Sequence, residues 1–176
     1  MASTYRIRLA RPDDLASLPD IDTLADSRFE TTPYGAALER FPAVSVNHLA
    51  ELQDQWRLWV AAEAQDRPVG FTMVTLDTPT ILHLDLIAVR PTHTGHRLAS
   101  RMIDGIDAFC DGRGFTQMTL TTFRDFPWNA PYYQRLGFQD IGDAEADADP
   151  HLGPRLRDQV AKGLPRESRV AMVRKL

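Results

Sequence analysis

The chain has 176 residues, 43% of them hydrophobic and 25% charged, with 20 Lys and Arg against 24 Asp and Glu and a formal net charge of -4. These values fit a single domain over residues 1–176 that can bury its own core, and they argue against disorder, a membrane span or a general nucleic-acid binder, which needs a basic face. One cysteine, Cys110, excludes an internal disulfide and a cysteine-rich metal site, the first ten residues carry no apolar leader block, and the whole suits a reducing cytoplasm with no metal.

Residues 5–9 alternate as a strand. Arg11, Pro12, Asp13 and Asp14 open a helix, because proline suits a first turn and acids suit the positive helix end. Leu15, Leu18 and Ile21 give it an apolar side, and Pro19 kinks or divides it. Residues 26–44 have no clean period and contain Pro33, Gly35 and Pro42, as expected of a loop or short helices over a site. Val46, Leu49, Leu52 and Trp56 stand at helical spacing. Strands are expected over 58–63, 69–76 and 80–89, joined by turns at 65–68 and 77–79, as antiparallel neighbours.

After Pro91 the pattern turns helical. Leu98, Met102, Ile103, Ile106, Phe109 and Cys110 share one apolar face, and Gly112 and Gly114 end that helix. A strand over 115–122 follows, then a short helix over 129–136 with Asn129 as its N-cap and Gly137 as its stop. A strand begins in 138–141, a helix occupies 154–163, and a last strand covers 168–174. The acids Asp140, Asp143, Glu145, Asp147 and Asp149 read as a solvated loop and helix. This order predicts a mixed sheet with helices on its faces.

Two stretches carry candidate chemistry. At Val89 a strand ends, a loop containing Thr94, Gly95, His96 and Arg97 follows, and a helix begins with Leu98 and Ala99. Free N–H groups at such a helix start, with the dipole behind them, bind anions, and a pyrophosphate is the natural guest. An ordinary strand-to-helix turn would look the same. The Walker and dinucleotide-binding glycine patterns are both absent. His93 and His96 lack a third metal ligand with clear spacing, and Cys110 lies on the apolar helix face.

On the strand over 80–89, alternation puts His83 and Asp85 on one face and Leu82, Leu84, Leu86 and Ala88 on the other. Two polar groups on a central strand want a cleft or a partner. Either could serve as a base, Asp85 ahead of His83, or the two could form a buried hydrogen-bonded pair. Trp56, Trp59 and Trp128 read as packing residues.

Combined with the first stretch, Asn129, Ala130, Tyr133, Arg135, Gly137 and Phe138 resemble the GNAT family of N-acetyltransferases. The likeness extends to Ile7–Asp14, Trp59–Glu63, Val69–Phe71 and Arg169–Met172, and Thr121–Pro131 resembles a bacterial subgroup. The family's loop has Arg or Gln where Thr94 stands and Gly where Arg97 stands; Gly95 and Ala99 fit.

The resemblance implies an α+β fold: a mixed, mostly antiparallel sheet of six or seven strands with helices on both faces. It implies acetyl-CoA as cosubstrate, its pyrophosphate at Thr94–Ala99 and its arm along Ile87, Ala88 and Val89, with Asn129 as a further contact. It implies Tyr133 as general acid, with Tyr132 as the fallback, and direct acetyl transfer to a primary amine of a small molecule or peptide, with Glu30 as a candidate substrate contact. Homodimers are common in the family. The rival expectations are an acyl-CoA sensor on the same scaffold and an interaction protein without the cofactor.

Overall fold

Seven strands and the helices between them make up the computed structural model, which describes residues 5–176; the opening residues 1–4, read for a leader, lie outside it. Strand β1 (Arg6–Leu9) is followed by a 3-10 turn over Pro12–Ser17 and helix α1 (Leu18–Asp26), so Pro19 does divide the expected helix, by starting the second part. A 3-10 turn (Ser27–Phe29) and the four-residue helix α2 (Gly35–Leu38) fill the aperiodic segment. Helix α3 (Val46–Asp54) is capped by the Ser45 hydroxyl, which accepts from the His48 N–H at 3.2 Å.

Strands β2 (Leu58–Ala62), β3 (Pro68–Thr78) and β4 (Ile81–Val89) form an antiparallel meander. Helix α4 (Leu98–Cys110), β5 (Gln117–Phe123), α5 (Ala130–Arg135), β6 (Gln139–Asp140), α6 (Asp143–Ala148), α7 (Leu152–Ala161) and β7 (Arg169–Lys175) complete the chain. The sheet order is β1-β2-β3-β4-β5-β7-β6, and β4–β5 is its one parallel pair. This is the expected α+β architecture.

Each sheet face is closed by its own helices. Ile103, Ile106 and Cys110 of α4 pack on Leu82, Leu84, Met118, Leu120, Val170 and Met172. Leu18, Ile21, Leu49 and Leu52 of α1 and α3 pack on Leu58, Val60, Phe71 and Ala88 across the other face. Each such side chain, fully buried, contributes roughly 1.5–3 kcal/mol. On that second face α7 covers the far half, with Leu156 against Ala171. The acidic run is the expected solvated loop and helix, with its acids mostly exposed; Arg124 reaches Asp140 and Asp143 (3.2 and 2.7 Å) and Arg166 reaches Asp147 (2.8 Å), which anchors α6.

Three register shifts disturb the meander, one between β2 and β3 at Ala61–Ala62 and two between β3 and β4. Val74 pairs Leu84 and Met73 pairs Leu86, so Asp85 is skipped; Leu76 pairs Leu82 and Thr78 pairs Ile81, so Asp77 is skipped on the other strand. The bulge at Asp85 corrects the expected alternation. Leu82 and Leu84 face α4, but Leu86 and Ala88 join the core beneath α1 and α3, while Ile87 and Val89 turn toward α4. One extra residue has exchanged the faces of everything after it.

Other expectations need correction. Trp56 falls beyond the end of α3, at φ 60°, and is 60% exposed, so it is not a packing residue of that helix. Trp128 is also exposed, stacked on Phe126 with ring centroids 5.1 Å apart. The Asn129 side chain does not cap α5. Its Nδ2 donates to Thr122 Oγ1 at 2.8 Å, and it is the Asn129 backbone carbonyl that accepts from Tyr132 and Tyr133.

The first turn of the chain is held by charge. Arg8 reaches Asp14 through two hydrogen bonds (2.7 and 3.0 Å) and Asp66 at 3.0 Å, with the Arg8 and Asp14 side chains only 12% and 7% exposed. Asp14→Ala leaves a desolvated guanidinium with half its partners, so it should cost about 3 kcal/mol in urea unfolding. Arg97, just before α4, adopts a left-handed conformation (φ 56°, ψ 28°) that disfavours any side chain. Arg97→Gly should therefore keep or raise the urea midpoint, whereas Arg97→Ile should lower stability by about 1–2 kcal/mol; equal losses in both variants would contradict the strain.

Candidate active site

The site begins where two strands part. β4 and β5 pair only over Ile81–Gln117, Leu82–Met118 and His83–Thr119. Beyond His83, β4 remains paired to β3 as far as Val89 but, among the described residues, has no strand on its other side. Asp85 shows what this exposes: the residue as a whole is exposed although its side chain is only 21% exposed, so the open surface is largely backbone. Unpaired N–H and C=O groups along a strand edge accept an extended, amide-bearing ligand. Ile87, Ala88 and Val89 lie on this edge.

The mouth of the gap is the loop before α4. Pro91–His93 makes one 3-10 turn, Thr94 closes it with Oγ1 on the Pro91 carbonyl (2.9 Å), and Gly95 and Arg97 both take positive φ. The N–H groups of Gly95, His96 and Arg97 donate to nothing among the described residues, and those of Leu98, Ala99 and Ser100 lie in the first turn of a thirteen-residue helix. Leu98 is buried and anchors the helix start in the core. His96 stands exposed against the Tyr5 ring (5.0 Å between centroids), and His93 Nδ1 shares a hydrogen bond with Tyr5 at 3.0 Å. The left-handed Arg97 explains why a glycine suits that position, and its exposed side chain leaves the backbone donors uncovered.

Inside the gap, α5 supplies Tyr133 and Asn129. Tyr133 is buried beside Tyr132 and Phe138, and its phenol makes no hydrogen bond among the described residues. Burial pushes its pKa above the ordinary phenol range, with Arg28 and Arg169 opposing. Asn129 Oδ1 is buried with no partner. An orphaned acceptor beside an open strand edge fits the N–H of a ligand amide.

On the opposite face, the two bulged acids converge on one arginine. Arg155 of α7 lies 2.8 Å from Asp77, 3.0 Å from Thr75 Oγ1 and 3.9 Å from Asp85. Burial pushes Asp85 up to about 6, although Thr75 and Arg155 pull the other way. His83 lies deeper, 2% exposed, with Nδ1 sharing a hydrogen bond with Thr119 Oγ1 at 2.9 Å and lying 4.0 Å from Asp77. Burial, assisted by Arg155, pushes it down to about 3, so it is neutral. His83 and Asp85 do share a face, but only the acid borders the opening.

The wall beyond them is aromatic and cationic. Phe29, Tyr34, Phe123, Phe126 and Trp128 form a continuous ring cluster, and Arg169 lies 4.4 Å from the Phe123 centroid. Gly35 fixes the segment that bears Phe29 and Tyr34: a Cβ there would meet the Glu30 and Phe29 carbonyls at 2.8 and 2.9 Å. Glu30 is exposed on that segment and forms no ion pair among the described residues. A separate hollow of about 430 Å³ at the far end of α4, lined by Cys110, Phe115 and Arg174 among others, shares no residue with this constellation.

Sequence reasoning missed Asp77, Arg155, Gln159 and Arg169. Asp77 reads as a turn residue unless the bulge is known. Arg155 and Gln159 stand four apart on the predicted last helix, a spacing that puts both on one side and could have marked them. Arg169 merely opens an apolar strand and carries no signal.

The profile of the Acetyltransferase (GNAT) family matches residues 21–138. Among solved structures, the PaiA N-acetyltransferase of Thermoplasma acidophilum in complex with coenzyme A is similar at 15% identity and TM-score 0.70, covering 99% of this chain and 100% of that one. An acetyltransferase of Thermus thermophilus is similar at 20% identity and TM-score 0.65, covering 99% and 98%. The N-acetylglutamate synthase of Neisseria gonorrhoeae, complexed with coenzyme A and N-acetyl-glutamate, is similar at 17% identity and TM-score 0.68, covering all of this chain and 36% of that one. At these identities the likeness is one of fold, and the family match extends from α1 through the helix that carries Tyr133. The chain belongs to the GNAT acetyltransferase family.

Proposed function

We propose that this protein is an acetyl-CoA-dependent N-acetyltransferase that moves the acetyl group directly to a primary amine of a small molecule or peptide. The observation that carries the reading is the parting of β4 from β5 after His83, which leaves a free strand edge between an uncapped helix start and a buried tyrosine. Coenzyme A in complexes of similar fold supports the choice of donor.

The fit is local and chemical. The N–H groups of Gly95 to Ser100 would take the pyrophosphate, the edge at Ile87–Val89 the amides of the arm, and Asn129 Oδ1 one amide N–H. Bound there, acetyl-CoA supplies a thioester carbonyl to which the amine nitrogen bonds as the C–S bond breaks; a protonated amine and the thioester become an N-acetyl amide, a free thiol and a proton. A β4 backbone N–H turned into the gap stabilises the charge that develops on the carbonyl oxygen. Holding both reactants in one cleft converts a bimolecular encounter into an oriented one.

Asp85 takes the amine's proton, directly or through water, since a carboxylate raised to about 6 is a competent base that is ionised at neutral pH. His83, sealed and neutral, holds Thr119 through a shared hydrogen bond rather than moving protons. Tyr133 stays protonated until sulfur leaves and then donates to it, while the fields of Arg28 and Arg169 ease the formation of phenolate. Cys110 has no part as a nucleophile: it is buried against α4's core face and pushed up to about 11.

Turnover is tested by following thiol release with acetyl-CoA and a panel of amines. Tyr133→Phe should lower kcat roughly a hundredfold or more while acetyl-CoA still raises the melting temperature; full turnover in that variant removes the acid assignment, and stabilisation without turnover of any amine favours the sensor. Asp85 is protonated below about 6 and cannot then accept a proton, so kcat/KM should climb as pH rises through about 6. That limb should vanish in Asp85→Asn, whose rate should fall roughly 10²–10⁴-fold.

A further inference from the structure

The arginines of this chain are not evenly matched by acids. Arg8 lies 2.7 Å from Asp14, Arg155 2.8 Å from Asp77 and Arg166 2.8 Å from Asp147, and Arg174 pairs with Asp107. Arg169 is more deeply buried than any of them, at 6% exposed, and has no carboxylate partner among the described residues. Its one side-chain hydrogen bond runs from Nε to Gln159 Oε1 at 2.8 Å. Gln159 is itself fixed, since its Nε2 donates to Thr121 Oγ1 at 2.9 Å.

Register fixes where the guanidinium sits. Arg169 pairs with Phe123 across β5 and β7, and Phe123, Thr121 and Thr119 alternate onto the face that also carries His83. The two terminal nitrogens of Arg169 form no hydrogen bond among the described residues and are not wholly sealed. The guanidinium lies over the Phe123 ring, close enough to Tyr133 for each to feel the other's charge. Burial and the nearby Arg166 push Arg169 down to about 10, which leaves it charged at neutral pH. A desolvated cation held rigid, with its terminal nitrogens uncommitted, is a cost to the fold unless a ligand completes it.

We infer that the acceptor amine carries a carboxylate, which the terminal nitrogens of Arg169 grip beside the aromatic wall. The inference rests on the acetyltransferase reading and narrows its substrate class to amino acids and peptides bearing a nearby free carboxylate. A planar fork of two N–H donors matches the two oxygens of a carboxylate, whereas a phosphate dianion calls for more positive charge than one guanidinium supplies. The other cations nearby are committed: Arg124 and Arg166 pair with Asp140, Asp143 and Asp147, and Arg28 is exposed and donates Nε to the Ala25 carbonyl at 3.0 Å.

The test compares α-amino acids and ω-amino acids of increasing chain length, each beside its own carboxamide and its phosphonate counterpart, with wild type and Arg169→Met. Met keeps an unbranched stem against Phe123 and removes the charge, and thermal melts check that the variant is folded. In wild type kcat/KM should favour at least one acid over its amide by about tenfold or more, and in Arg169→Met that ratio should fall toward one. The matching N-acetyl amino acid should bind wild type in calorimetry and lose about tenfold or more in affinity in the variant. Acids and amides turned over alike, a preference that survives Arg169→Met, or a preference for phosphonates overturns the inference. A fall in kcat with the acid preference intact also overturns it, and makes Arg169 a stabiliser of the Tyr133 phenolate instead. If no amine of any kind is acetylated, it is the acetyltransferase reading that fails.

Discussion

Backbone hydrogen bonding decides the shape of this site. A strand inside a sheet satisfies its N–H and C=O groups on two sides, and β4 does so only as far as His83. From Asp85 onward it keeps β3 and loses β5. Each polar group left buried without a partner costs about 1–3 kcal/mol, so the open edge is stable only where water or a ligand reaches it. The bulge at Asp85 marks the place: one inserted residue turns the strand, exchanges its faces and presents an acid, and the parallel pairing gives out beside it. The donor edge and the proposed base are thus two results of a single irregularity.

Other departures from stable local structure gather around the same gap. Arg97 takes a conformation suited to glycine, Asn129 Oδ1 is buried without a donor, and Arg169 is buried without a counter-charge. Each costs something in the folded chain, and under the proposed function each would be completed by a ligand. Arg174 Nε is orphaned too, but it lies at the other end of α4, where the same guanidinium already reaches Asp107 and the Leu136 carbonyl.

Much of the architecture was legible in the residues. Apolar, β-branched runs bounded by turn residues in 58–89 gave the strands, which are covered on both faces, and the apolar spacing of Leu98 to Cys110 gave the central helix, which buries one side. The motif around Tyr133 placed the short helix correctly. What failed was local. Alternation was carried through Asp85, and nothing in Leu84, Asp85 and Leu86 announces an extra residue. Asn129 looked like a cap because its type and position fit, yet Thr122, on the preceding strand, holds its side chain. Arg155 and Arg169 acquire meaning only from strands and helices far away in sequence, so no window of neighbours could have identified them.

The lone cysteine has a practical consequence. Cys110 ends α4 on its buried side and its thiol is pushed up to about 11, so at neutral pH the native chain offers almost no thiolate to a dye or disulfide reagent. Any rapid chromophore signal during turnover then comes from the released carrier, with no protein background to subtract. Conversely, slow labelling at a stoichiometry of one reports how often the wall of the hollow at the end of α4 opens to this sulfur.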